Sequence, residues 1–270
     1  MHLDVFDQPG GKLLFQQHAK AKMIEIKNLH KNFNGTPVLK GISFTVPRGE
    51  LLALIGRSGI GKSVLLKHVV GLISPDQGTV LINGSDINRL RSKQLVEIRK
   101  QFGFLFQGGA LFDSFTVYDN VSFPLREKTA LSEPQIRERV QHELEQMGLK
   151  NDGHKYPAEL SGGMRKRAAL ARALVMDPSI MLFDEPTTGL DPIIGQTILD
   201  YIQQCHQRLK FTGIIVTHEV TKVFTIVQQI AMIHAGEIIA QGSPENIQAQ
   251  KNPVFDQFVR GDTTGPVQYI

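Results

Sequence analysis

At 270 residues, 41% hydrophobic and 21% charged, the chain has room for one large domain or two small ones, and enough apolar content for a core excludes a disordered polypeptide. The net charge of +4 comes from Lys and Arg dispersed among 26 acidic residues rather than from a basic stripe, so no nucleic-acid partner is expected. Cys205 is the single cysteine, which excludes an internal disulfide and a thiolate metal cage.

Residues 1–22 read as an N-terminal extension without the apolar stretch of a signal peptide. No apolar run reaches the ~20 residues that cross a bilayer. A chain kept in the cytoplasm is therefore expected, one that meets a membrane only through another subunit. Met23 to Ile26 alternates as a strand would, Val38 to Val46 continues in strand-like sequence, and Pro47-Arg48-Gly49 supplies a turn. Leu51 to Ile55 is wholly apolar, the mark of a strand buried on both faces of a parallel sheet. A helix is predicted over Ser63–Gly71, a strand over Thr79–Ile82 with Asn83-Gly84 as its turn, and a further strand over Phe102–Phe106. Residues 117–150 are helix-rich, with Ser132-Glu133-Pro134 opening an amphipathic helix, and Leu160–Met176 reads as another helix. Strands at Ile180–Phe183, Ile214–Val216 and Ile230–Ile233 then alternate with helices after Pro192 and His218. That alternation implies an α/β fold with a parallel sheet covered by helices.

Gly56-Arg57-Ser58-Gly59-Ile60-Gly61-Lys62-Ser63 fits the phosphate-loop pattern G-x-x-x-x-G-K-[ST], with a buried strand before it and a helix running on through Val64. Its glycines let backbone N–H groups curl around phosphate oxygens, and the following helix aims its positive end at the same anion. Lys62 is suited to the β and γ phosphates and the Ser63 hydroxyl to Mg²⁺. ATP and Mg²⁺ are the expected cofactors. Asp184-Glu185 ends an apolar strand at the edge where ligands of such sheets sit. Strand alternation would send the two acids to opposite sides and so to different tasks, Asp184 to the metal and Glu185 to the attacking water. His218 follows the next buried strand and is expected beside the same loop.

Leu160-Ser161-Gly162-Gly163-Met164 narrows this further. It resembles the signature of ABC transporter ATPases, with Met164 in place of the usual Gln, and the resemblance runs from about residue 23 to 250. A Ser hydroxyl and glycine N–H groups at a helix start make an anion site. In this family that site caps the ATP of a second copy in a head-to-tail dimer. The resemblance implies a phosphate-loop core, an antiparallel β part and an inserted helical subdomain at about 108–175, all within a nucleotide-binding domain spanning 23–250. It further implies that Phe33 stacks on adenine and that Gln107 senses Mg²⁺ and signals to an integral membrane permease. Gly189-Leu190-Asp191 would connect the two ATP sites, and His218 would be the switch histidine.

A narrower resemblance lies in the run from Leu160 to Arg172, in Phe115 to Val121 with Phe123 to Glu127, and in Gly265-Pro266-Val267. These segments look like the ATPases of the Mla (maintenance of lipid asymmetry) phospholipid transport group. That group implies a place on the cytoplasmic face of the inner membrane, with an Mce-domain lipid-binding protein and a small STAS-domain protein as further partners. It also implies a C-terminal tail, residues 251–270, that docks on the partner ATPase. An importer ATPase for small solutes such as amino acids shares every catalytic motif. A soluble ABC ATPase of DNA repair or translation would more commonly carry two nucleotide domains or a long coiled-coil insertion. In Arg165-Lys166-Arg167, neighbours lie ~100° apart on a helix, so part of the run is expected to face solvent.

Overall fold

The computed structural model describes residues 21–267, so most of the N-terminal extension and the last three residues lie outside the described residues. β1 (Lys22–Phe33) and β2 (Thr36–Pro47) form an antiparallel hairpin turned at Asn34-Gly35, where both residues take positive φ, as a two-residue hairpin turn requires. β3 (Leu51–Ile55) follows, completely buried. The phosphate-loop motif leads into α1 (Lys62–Val69). β4 (Gln77–Ile82) and the two-residue β5 (Ser85–Asp86) join across the predicted Asn83-Gly84 turn. α2 (Ser92–Arg99) and β6 (Phe102–Leu105) complete the first half.

α3 (Val117–Lys128), α4 (Glu133–Gln146) and α5 (Gly162–Leu174) pack on one another between β6 and β7 (Ile180–Asp184). The chain continues through α6 (Pro192–Leu209), β8 (Thr212–Thr217), the single turn α7 (Val220–Val223), β9 (Gln229–His234), β10 (Glu237–Gly242), α8 (Pro244–Ala249) and α9 (Pro253–Arg260). The described residues build a four-stranded antiparallel sheet, β2-β1-β4-β5, and a six-stranded sheet, β10-β9-β3-β8-β7-β6. In the second sheet only β10 pairs antiparallel.

Alternation along the parallel strands divides the core in two. Leu51, Ala53 and Ile55 of β3 face the side that holds α3 to α6, together with Met181, Phe183 and Ile215. Leu52, Leu54, Leu182, Ile214 and Val216 face α1 and the antiparallel sheet. Wholly apolar strands are needed because both faces are covered. Among the described residues no helix is long and apolar enough to cross a membrane.

Two segments gain detail here. Residues 253–260, expected within a tail, form a helix, and Phe255 stacks on Phe224 with ring centroids 6.3 Å apart, while Val254, Phe258 and Val259 lie partly buried on this chain's own core. Asn252 caps that helix by accepting from the N–H groups of Val254 and Phe255, a local start signal passed over in the sequence. Part of the Arg165-Lys166-Arg167 run faces solvent as expected, Arg165 being exposed and Arg167 half-buried, but the cations are not idle. All three cations bond main-chain carbonyls, those of Leu160, Gln107 and Met147 respectively, and Lys166 is buried.

Candidate functional site

The carboxyl ends of β3, β8 and β7 stand side by side, Ile55 opposite Thr217 and Val216 opposite Asp184. The segments leaving these strands are therefore drawn to one sheet edge. After β3 the backbone turns at Gly56, where a Cβ would lie 2.5 Å from the Ile233 carbonyl oxygen. At Gly61, φ is +106° and a Cβ would lie 2.8 Å from Val38 Cγ1. Only glycine fits either place, so β9 and β2 press the loop into its curl. Lys62 Nζ spans the curl from inside, donating to the carbonyls of Gly56 at 2.7 Å and Arg57 at 2.8 Å. Burial lowers the Lys62 pKa below the usual lysine value, against the opposing pull of Glu185.

The Ser63 hydroxyl donates to Asp184 Oδ1 at 2.9 Å. Burial raises the Asp184 pKa, and the Ser63 hydrogen bond only partly offsets this. Glu185 is the next residue, yet it has left the strand, with φ at +50°. Such a φ is uncommon outside glycine. Its Oε1 lies 3.6 Å from Lys62 Nζ, and its Oε2 accepts from Thr188 Oγ1 at 2.7 Å and sits 2.6 Å from His218 Nδ1. Burial would raise the Glu185 pKa, but Thr188, His218 and Lys62 outweigh it and hold it low, so the group is a carboxylate at neutral pH.

Strand alternation therefore does not separate the two acids. The left-handed turn at Glu185 brings its carboxylate to the same loop that Asp184 meets, one acid on Ser63 and the other on Lys62. The Ser63 hydroxyl and Asp184 carboxylate supply two adjacent hard oxygens. That donor set suits Mg²⁺, which takes one or two protein carboxylates and completes its shell with phosphate and water.

The remaining sequence-derived positions are spread more widely. Ser58 and Gly59 are exposed on the loop, Arg57 and Ile60 are half-buried, and Val64 accepts the His68 ring in the first turn of α1. Phe33 stands exposed at the end of β1 with Lys31 Nζ 5.5 Å from its ring centroid. Gln107 is exposed just beyond β6, and its main-chain oxygen receives the Lys166 ammonium. Ser161 caps α5, accepting from the Met164 N–H at 3.3 Å. Gly162 and Gly163 lie against Leu190 and Ile194, where α6 begins. Among the described contacts, none joins Phe33 or the signature to the Lys62–Asp184–Glu185–His218 cluster. Thr188 and Lys166 were missed in the sequence, although Thr188 stands one turn after Glu185, within reach of its carboxylate.

The family model described as "ABC transporter" matches residues 39–188, more than half of the chain. This chain belongs to the ABC transporter family. It is an ATP-binding subunit of that family, and ATP hydrolysis is its activity. A "Probable ribonucleotide transport ATP-binding protein mkl" of Mycobacterium leprae is 43% identical, covering 90% of this chain and 70% of the relative. An "Intermembrane phospholipid transport system ATP-binding protein MlaF" of Haemophilus influenzae is 42% identical, covering 92% of this ABC subunit and 94% of the relative. The solved "Dimeric structure of a post-hydrolysis state of the ATP-binding cassette MJ0796 bound to ADP and Pi" superposes with a TM-score of 0.75 at 30% identity, covering 82% of this chain and 98% of that one.

Proposed function

We propose that this ATPase drives phospholipid transport, linked to outer-membrane lipid asymmetry, through a separate integral membrane permease. The observation that carries the cargo assignment is the likeness to intermembrane phospholipid transport ATPases over nearly the full length of both chains. In this reading the subunit sits on the cytoplasmic face of the inner membrane. It acts beside an Mce-domain lipid-binding protein and a small STAS-domain protein, and pairs head to tail with a second copy.

The chemistry follows from the cluster at the sheet edge. The N–H groups of residues 56–63 and the start of α1 bind the phosphates, while the Lys62 ammonium offsets charge that builds on them. Phe33 stacks on the adenine. In this reading Ser63, Asp184 and Gln107 would hold Mg²⁺, which would supply Lewis-acid stabilisation of charge on the phosphates. Glu185 accepts the proton of the attacking water, a role suited to a carboxylate held ionised by Thr188, His218 and Lys62. His218, in contact with Glu185, fixes that carboxylate's orientation. Ser161, Gly162 and Gly163 complete the partner's site rather than their own. The exposure of Ser161 at the start of α5, away from its own cluster, supports that assignment.

The mycobacterial relatives named for ribonucleotide transport favour a second reading, a motor for nucleotides or other small solutes. Extraction of the tagged chain from native membranes in mild detergent separates the two. Recovery of a permease with an Mce-domain protein, a STAS protein and phospholipid is the expected result. A different permease with a solute-binding protein would keep the motor and discard the lipid. A chain found only on ribosomes or DNA would remove the transporter reading itself.

A further inference from the structure

The loop after β6 is held by one face of the signature helix. Lys166, Ala169 and Arg172 recur every three residues along α5 and share a side of it. The Lys166 ammonium donates to the Gln107 carbonyl. Arg172 donates to Gly109 O at 2.8 Å and Ala110 O at 2.7 Å, and a Cβ at Gly109 would lie 3.3 Å from Ala169 Cβ. Ala110 takes a left-handed φ of +50°, a strained conformation for a residue with a Cβ. The loop keeps that shape while its carbonyls are taken up by α5.

Lys166 is only 7% exposed, and a buried ammonium is expensive unless something nearby repays its lost hydration. Besides the Gln107 carbonyl, the charges of Asp184 and Glu185 act on it, offsetting part of the lowering of its pKa by burial. A lysine that only filled space would need neither. The helix that opens with Ser161 is thereby tied to the loop that carries Gln107.

We propose that Lys166 is a positioning residue for ATP hydrolysis, fixing Gln107 relative to Asp184 and Glu185 by holding the 107–110 loop on the signature helix. The inference rests on the role proposed above for Gln107.

Lys166→Met keeps the apolar stem and removes the donor. In the full chain it is expected to leave ATP affinity within about twofold, slow kcat about tenfold, and speed amide hydrogen exchange at residues 107–110. In a Gln107→Ala background, the same substitution should cost less than about twofold more, since no side chain remains to be positioned. A purely structural role predicts instead a lower Tm and equal losses in both backgrounds. Normal turnover in Lys166→Met beside a slow Gln107→Ala overturns the proposal alone, as does a full second loss in the double variant. Normal turnover in Gln107→Ala by itself removes that glutamine's role and the proposal with it. Should Lys166→Met not fold, Lys166→Leu, which also lacks a donor, carries the same comparison.

Discussion

His218 Nδ1 lies 2.6 Å from Glu185 Oε2, and the same oxygen accepts the Thr188 hydroxyl at 2.7 Å. The proposed base is thus held from two sides by groups that favour its charged form, while Lys62 approaches its other oxygen. The position of that carboxylate depends on a non-glycine residue at positive φ just past the end of β7. Removing the charge and removing the support should therefore give different results.

Glu185→Gln keeps the shape and loses the base. Turnover is expected to fall about 10²–10⁴-fold with ATP affinity retained, and ATP should trap the chain as a dimer. Steady-state kinetics with size-exclusion chromatography in ATP check both. Full activity in this variant would take Glu185 out of its role.

His218→Ala leaves the base in place but frees its orientation. A kcat loss of about 10²-fold is expected, with KM for ATP changed by much less. A loss confined to KM would show that the ring serves nucleotide binding instead.

Asp76 joins the loop after α1 to β1 through Lys31 Nζ at 2.8 Å and the Asn32 N–H at 2.6 Å. The Lys31 hydrogen bond, followed by that of Asn32, brings its pKa down to about 2 from 3.8. A depressed carboxylate pKa contributes stability above the unfolded value, and that contribution is lost as pH falls through the folded one. Asp76→Asn is expected to flatten the acid limb of the stability curve between pH of about 4 and about 2, read by urea melts at stepped pH. An unchanged slope would show that Asp76 is equally ionisable in the unfolded chain.

Arg208 Nη2 meets Glu143 Oε1 at 2.8 Å and Oε2 at 3.1 Å, tying α6 to α4, and the Glu143 side chain is wholly buried. Losing one member of a buried pair costs ~3–5 kcal/mol, and the partial exposure of Arg208 reduces this to about 2–3 kcal/mol. Arg208→Met should lower Tm by roughly 5–10 °C, and Glu143→Leu in the same chain should recover most of the loss. Thermal melts of the single and double variants decide this. An equal Tm in both would mean that water already solvates Glu143.

The strands and phosphate loop could be read directly because their causes are local. Leu51 to Ile55 is apolar at every position, so it can only be covered on both faces, and Gly56 to Ser63 carries its glycines in fixed order. The same holds for Asp184-Glu185 and His218, each placed by the end of an apolar run. β10, α8 and α9 were not legible, since Glu237–Gly242 has no distinctive alternation and α9 is held by Phe255 on Phe224, a contact between separate elements.

By itself, the sequence determined the fold class and which residue types gather at the carboxyl edge of the parallel sheet, because periodicity and loop chemistry act over a few neighbouring residues. Only the tertiary structure decided that Glu185 turns out of its strand onto Lys62 and His218, and that Lys166 is buried against Gln107 while Phe33 stays exposed. Those outcomes depend on residues far apart in the chain. Lys166 and Gln107 are 59 positions apart, and no local pattern records which distant carbonyl will take up a buried charge.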